Sequence, residues 1–288
     1  MFALFIVVIL VLLLFAILIF KKVLGSDMPA DTSPDNVSYH ENVGGEEPPV
    51  TDPAPATSVT VAKSAVNSGA LVLVNSSKPY VSSDPETKNM SESRTVFGTG
   101  SNGKNIYSYY VVSTHDTACE KTALEAFNSF ADGFYTATKN VDLFVSGAVA
   151  ESGIHATGLA LDLRFWTGGN NYYALGDPKY ADDFDWICDN AYKYGFTVNS
   201  ECEGNFCLRY VGVPHAYYMH KHDLSLEDYL KQVCKETLAF TTDGGDKYEV
   251  YYVHATGDMV SVPIYSADAE YEISGDNAEG LIVTVKMN

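Results

Sequence analysis

The stretch His155-Ala-Thr-Gly-Leu-Ala-Leu-Asp162 decides how the rest of the chain is read. Side chains alternate across a strand, so after Gly158 the residues Leu159, Leu161, Leu163 and Phe165 share one face. Ala160, Asp162 and Arg164 share the other. The strand therefore buries its Leu/Phe face and presents Asp162 on the opposite side, with His155 on the turn leading in. An imidazole and a carboxylate so placed could supply two of the three protein donors of a catalytic zinc, leaving the fourth position to water. On these residues alone, a surface or hydrogen-bonding role for both is the plainer reading.

The neighbouring sequence supplies the elements that such a strand needs. Residues 117–135 predict a helix with Thr117 at the N-cap, Glu120 three positions on, and Leu124, Phe127, Phe130, Ala131 and Phe134 as its apolar stripe. Residues 69–75 read as a short buried strand, and 141–146 and 159–165 as two more. Helices are expected over 181–194, ended by Gly195, and over 225–238. From 247 to 286 apolar and polar residues alternate between Gly-containing turns, which predicts an appended β unit.

Composition narrows the function. The 288 residues carry 37 Asp plus Glu against 18 Lys plus Arg, a net charge of -19. Nucleic-acid binders gain affinity by neutralising phosphates with Lys and Arg, so this balance argues against that class. Residues 2–20 are nineteen consecutive apolar positions, roughly 28 Å of helix, close to the thickness of a bilayer core. They read as an uncleaved membrane anchor. Lys21 and Lys22 follow the span, which by the positive-inside rule would hold the remainder in the cytoplasm. A basic segment upstream of Met1 would reverse that orientation. Residues 26–57 hold six of the eleven Pro and seven acidic residues with no basic one, a solvated spacer.

His155-x-x-Gly-x-Ala-x-Asp162 resembles the first motif of the VanY-type D-alanyl-D-alanine carboxypeptidases. Leu71-Val-Leu-Val-Asn75 is similar to that family's opening strand. Ala191-Tyr-Lys-Tyr-Gly-Phe196, Arg209-Tyr-Val-Gly-Val-Pro-His-Ala216 and Leu226-Glu-Asp-Tyr-Leu230 resemble its second half, in the same order. The resemblance implies an α+β fold of the Hedgehog/DD-peptidase kind, an antiparallel sheet with flanking helices. The organisation expected is a transmembrane anchor over 1–24, an acidic linker over 25–57, the peptidase-like domain over 58–238 and a β-rich appendage over 239–288. It implies zinc as cofactor, peptidoglycan stem peptides as substrate, and a single-pass protein of the cell membrane with its soluble part outside the cytoplasm.

In that family a Glu-Pro-Trp-His stretch two residues before Arg-Tyr-Val-Gly supplies the general base and the third zinc ligand. The matching residues here are Gly204-Asn205-Phe206-Cys207. The implied ligands are thus His155, Asp162 and Cys207, with Glu203, one residue away, as a shifted base. A thiolate is a sound zinc donor, but Cys202 stands five positions before Cys207 and could form a disulfide with it in an oxidising compartment. An inert buried thiol is the third possibility. Cys188 and Cys234 could also pair. The family's upstream Arg clamp for the substrate carboxylate is missing: the only arginines are Arg94, Arg164 and Arg209. Arg164 and Ser152 are the candidates for substrate binding. His215 is expected to be structural, and His220-Lys-His222 a solvated turn. Two readings follow: a zinc carboxypeptidase with altered base and ligand positions, or a catalytically inactive relative serving as a wall-binding or protein-interaction module.

Overall fold

Lys121–Thr138 forms helix α1, and its apolar stripe explains why the domain folds around it. Leu124, Phe127, Phe130, Ala131 and Phe134 are all buried. Fully burying each Phe contributes on the order of 1.5–3 kcal/mol. The cap is Glu120, whose carboxylate accepts from the Ala123 N–H at 2.9 Å. Thr117, expected there, lies ahead of a short strand.

The computed structural model describes residues 55–81, 85–92, 96–99, 105–107, 109–150, 152–202, 205–266 and 268–287. Ahead of α1 come β1 (Thr57–Ala62), β2 (Thr87–Asn89), β3 (Val96–Thr99), β4 (Asn105–Tyr107), β5 (Val111–Val112) and β6 (Ala118–Glu120). After it come β7 (Leu143–Gly147), β8 (Ala160–Trp166), β9 (Tyr172–Ala174), α2 (Ala181–Asn190), β10 (Phe196–Cys202) and β11 (Asn205–Tyr210). The chain then forms α3 (Val213–His222), α4 (Leu226–Val233) and strands β12 (Leu238–Thr241), β13 (Lys247–His254), β14 (Met259–Ile264), β15 (Glu270–Gly275) and β16 (Gly280–Met287).

The central sheet has the order β10-β11-β8-β7-β5, with β9 paired to β8. Its pairings are antiparallel except β5 with β7. Leu143, Val145, Leu161, Leu163, Phe165 and Leu208 pack with the α1 aromatics in one core. The opposite face of β8 carries Asp162, Arg164 and Trp166, all half-buried. The alternation read from the sequence is therefore the alternation observed, in a mixed α/β architecture.

The C-terminal strands form a second sheet, β12-β13-β16-β15. Val250 and Ile282 share a core with residues of α3 and α4, including Met219, Tyr229 and Val233. His215 lies inside this contact, its Nδ1 2.7 Å from Tyr229 Oη and its Nε2 3.0 Å from Thr284 Oγ1 on β16. It is structural, as expected.

Several expectations are corrected. Residues 69–75 form no strand ladder apart from a bridge between Asn75 and Lys78, although Leu71 and Val72 are buried. β1 pairs with β14 in a two-stranded sheet of its own, so residue 58 lies within a strand. His220 and His222 are not in a turn. They end α3, where they lie against Tyr192 and Tyr218 at ring distances of 4.0 and 4.2 Å. Helix 181–194 divides into α2 and a 3-10 turn, Ala191–Tyr194, before Gly195 at φ 85°. Helix 225–238 ends early, at Val233. The anchor at 1–24 lies outside the described residues, as does the linker apart from its last three positions. Among the described residues no helix is long and apolar enough to cross a membrane.

Candidate active site

His155 sits in a 3-10 turn, Ile154–Thr157, between Gly153 and Gly158. Gly158 has φ 70°, and its carbonyl accepts from the Glu120 N–H at 2.8 Å. A Cβ at Gly158 would meet that same nitrogen at 3.1 Å, so the turn and the start of α1 approach as closely as they do only with glycine there. Thr157 locks the turn further: its hydroxyl donates to Ile154 O at 2.6 Å and accepts from the Leu159 N–H.

Nδ1 of His155 lies 3.2 Å from Ala160 O. A carbonyl only accepts, so Nδ1 carries the proton and Nε2 is left facing Asp162. The distance from Nε2 to Asp162 Oδ1 is 3.2 Å. Oδ1 is buried and accepts no hydrogen bond of good geometry. With the imidazole neutral and the carboxylate ionised, two lone pairs would confront each other, and a proton or a cation between them removes the repulsion. The His155 pKa is accordingly raised above the ordinary imidazole value, chiefly by the Asp162 carboxylate, with burial opposing.

The room for Asp162 comes from β7. A bulge there brings Gly147 opposite Asp162, and a Cβ at Gly147 would lie 2.9 Å from Asp162 Oδ2. On the other side β11 brings Cys207 directly opposite Asp162, on the same face of the sheet. The implied third donor is thus in register with the first two.

The pair itself fits zinc. Two donors at about 2.0–2.1 Å in a tetrahedral sphere lie about 3.3 Å apart, close to the 3.2 Å seen. The third position does not fit. Cys207 is disulfide-bonded, so its sulfur is no thiolate, which corrects its assignment as a ligand. Among the described residues no cluster of three His, Cys, Asp or Glu is placed to hold a metal. Cys119, Cys188 and Cys234 are free, so the Cys188–Cys234 pairing is not formed. Glu203, the candidate base, lies outside the described residues.

Of the two substrate-binding candidates, Arg164 stands on the Asp162 face, half-buried, opposite Phe144 and Ala174. Ser152 is exposed ahead of the His155 turn. A residue that sequence reasoning left without a role is Arg209, only 1% exposed. Its guanidinium donates to Thr157 Oγ1 and to the carbonyls of Ala70 and Val72 at 3.1–3.2 Å. Burial pulls its pKa down to about 10. It ties residues 70–72 to the turn that carries His155. The scarcity of arginine in the chain was the one available signal.

No family model matches the chain. It is 33% identical over 141 residues to a D-alanyl-D-alanine carboxypeptidase of Enterococcus faecium, which covers 46% of this chain and 43% of the relative. It is 37% identical over 91 residues to the putative carboxypeptidase YodJ of Bacillus subtilis (strain 168), covering 28% and 32%. The chain thus matches less than half the length of either relative. Among solved structures, the vancomycin-resistance D,D-dipeptidase VanXYg, in complex with a D-Ala-D-Ala phosphinate analogue, superposes with a TM-score of 0.62 at 19% identity. The superposition takes in 80% of this chain and 99% of that one, which establishes a shared fold.

Proposed function

We propose that the chain is a member of the VanY-type D-alanyl-D-alanine carboxypeptidase family, a peptidoglycan-acting, zinc-dependent carboxypeptidase-type protein that takes stem peptides ending in D-alanine. The observation that carries this reading is the His155–Asp162 pair, two converging donors 3.2 Å apart, the spacing of two zinc ligands. When bound there, zinc would polarise the terminal peptide carbonyl. His155 and Asp162 would hold it, and Arg164, two positions along the same face, would meet the negative end of the peptide.

A second reading is favoured by Cys207: the protein recognises the stem peptide without cleaving it. With the third donor position closed by a disulfide, the described residues offer a metal two donors where catalytic zinc sites use three. A disulfide persists in oxidising compartments, which supports placing the domain outside the cytoplasm on an anchor at residues 2–20.

The test is release of D-alanine from a pentapeptide ending in D-Ala-D-Ala by the full-length protein supplied with zinc. Release that falls to background in His155→Ala supports the carboxypeptidase reading. Release that persists in that variant sinks it. Binding of the pentapeptide without release selects the second reading.

A further inference from the structure

On the face of β8 that carries Asp162, the row continues through Arg164 to Trp166, where it meets an aromatic ledge. Tyr172 on β9 pairs with Trp166, and Phe144 on β7, opposite Arg164, is a diagonal neighbour on the same face. Ring centroids are 6.0 Å apart for Phe144 and Trp166, 5.3 Å for Phe144 and Tyr172, and 6.4 Å for Trp166 and Tyr172, the last two rings inclined by only 27°. Phe144 is buried beneath, Trp166 is half-exposed and Tyr172 is 47% exposed. The indole is held in place, its Nε1–H donating to Gly169 O at 3.0 Å. Asn170 and Asn171, both exposed, stand on the turn joining β8 to β9 and bring amide donors and acceptors to the rim.

We propose that this ledge is a glycan subsite, taking an N-acetylated amino-sugar ring of the strand from which the stem peptide hangs. Its position relative to the peptide depends on the function proposed above. Tyr172, exposed and held nearly parallel to Trp166, offers an aromatic ring face, and the C–H face of a pyranose stacks on such a face while its hydroxyl and acetamido groups remain free for the rim amides.

The spacing argues for a sugar at this place. From Asp162 to Trp166 is four residues, roughly 13 Å along the strand. In a pentapeptide, four residues precede the terminal peptide bond, and an extended run of four also spans about 13 Å. A stem peptide lying along β8 with its last bond at His155 and Asp162 therefore brings its sugar-bearing end to the ledge.

The experiment uses the full-length protein and three probes: an N-acetylglucosamine tetramer, a free pentapeptide ending in D-Ala-D-Ala, and the same pentapeptide carried on its amino-sugar disaccharide. Trp186 packs against Phe130 and Phe134, so Trp186→Phe leaves Trp166 as the sole indole reporter. The tetramer is expected to shift Trp166 emission, and the disaccharide pentapeptide to bind at least tenfold more tightly than the free one. Tyr172→Ala should abolish that difference, and Tyr172→Phe, which keeps the ring, should preserve it, with thermal unfolding confirming that both variants fold. If the tetramer binds and the free pentapeptide does not, the ledge stands and the stem-peptide reading fails. Equal binding of the two peptides by the unmodified protein would overturn the proposal, as would a preference that survives Tyr172→Ala.

Discussion

Gly147 makes the clearest demand on a single residue. Alanine there would place a methyl 2.9 Å from Asp162 Oδ2, closer than a carbon and an oxygen tolerate, and Asp162 would have to swing from His155. Gly147→Ala is therefore expected to lower zinc affinity at least tenfold while leaving the α1 core intact, as isothermal titration beside a thermal melt would show. Arg209 makes a different kind of demand. Arg209→Ala removes a buried charge together with three hydrogen bonds and leaves two carbonyls unpaired. At about 1–3 kcal/mol per buried unsatisfied group, the loss should reach about 3–5 kcal/mol in denaturant unfolding. A loss below about 1 kcal/mol would mean that residues 70–72 are held by something else. The Asp162 face was legible because a strand's period of two needs only local sequence. Arg209 was not, because its acceptors lie some 137 positions away in the chain.

Among the elements, α3, α4 and β16 meet at His215, whose burial holds its pKa down at about 3. Unfolded, the ring titrates near 6.5, so between pH 6.5 and 3 the unfolded chain binds a proton that the folded chain refuses. Stability that is fully present above pH 6.5 is lost as pH falls through that window, at about 1.4 kcal/mol per pH unit for this one group. Carboxylates add their own slope at the acid end. The difference between the wild type and His215→Gln isolates the histidine, and the slope of unfolding free energy against pH should be shallower in the variant by about one proton. Equal slopes would place His215 in contact with solvent. Element types were largely readable, whereas pairings were not. The Leu71–Asn75 run has the composition of a strand but finds no neighbouring ladder. Cys207 lies opposite Asp162 only because β11 is laid beside β8, a register set by contacts between residues 45 positions apart. The ledge was missed although Thr167-Gly-Gly-Asn170 between aromatic residues is a hairpin signal.

At the scale of the molecule, the two ends of the described chain are built into one another. β1 pairs along its whole length with β14, and Val66, just after it, is buried with Val260, Val262 and Leu281. A chain starting at residue 69 would lose that strand and leave those side chains open, so it should unfold several degrees lower than one starting at residue 52. The resemblance to the carboxypeptidases came from motifs in order along the sequence, and the loss of Cys207 as a donor from its disulfide. Both functional readings hold that the His155–Asp162 end of the sheet recognises a D-alanine terminus. The most direct test is equilibrium binding of the full-length protein to two pentapeptides that differ only in ending D-Ala-D-Ala or L-Ala-L-Ala. The prediction is a preference of at least tenfold for the D-form that disappears in Asp162→Ala. Equal affinity for the two, or a preference indifferent to Asp162, would contradict it.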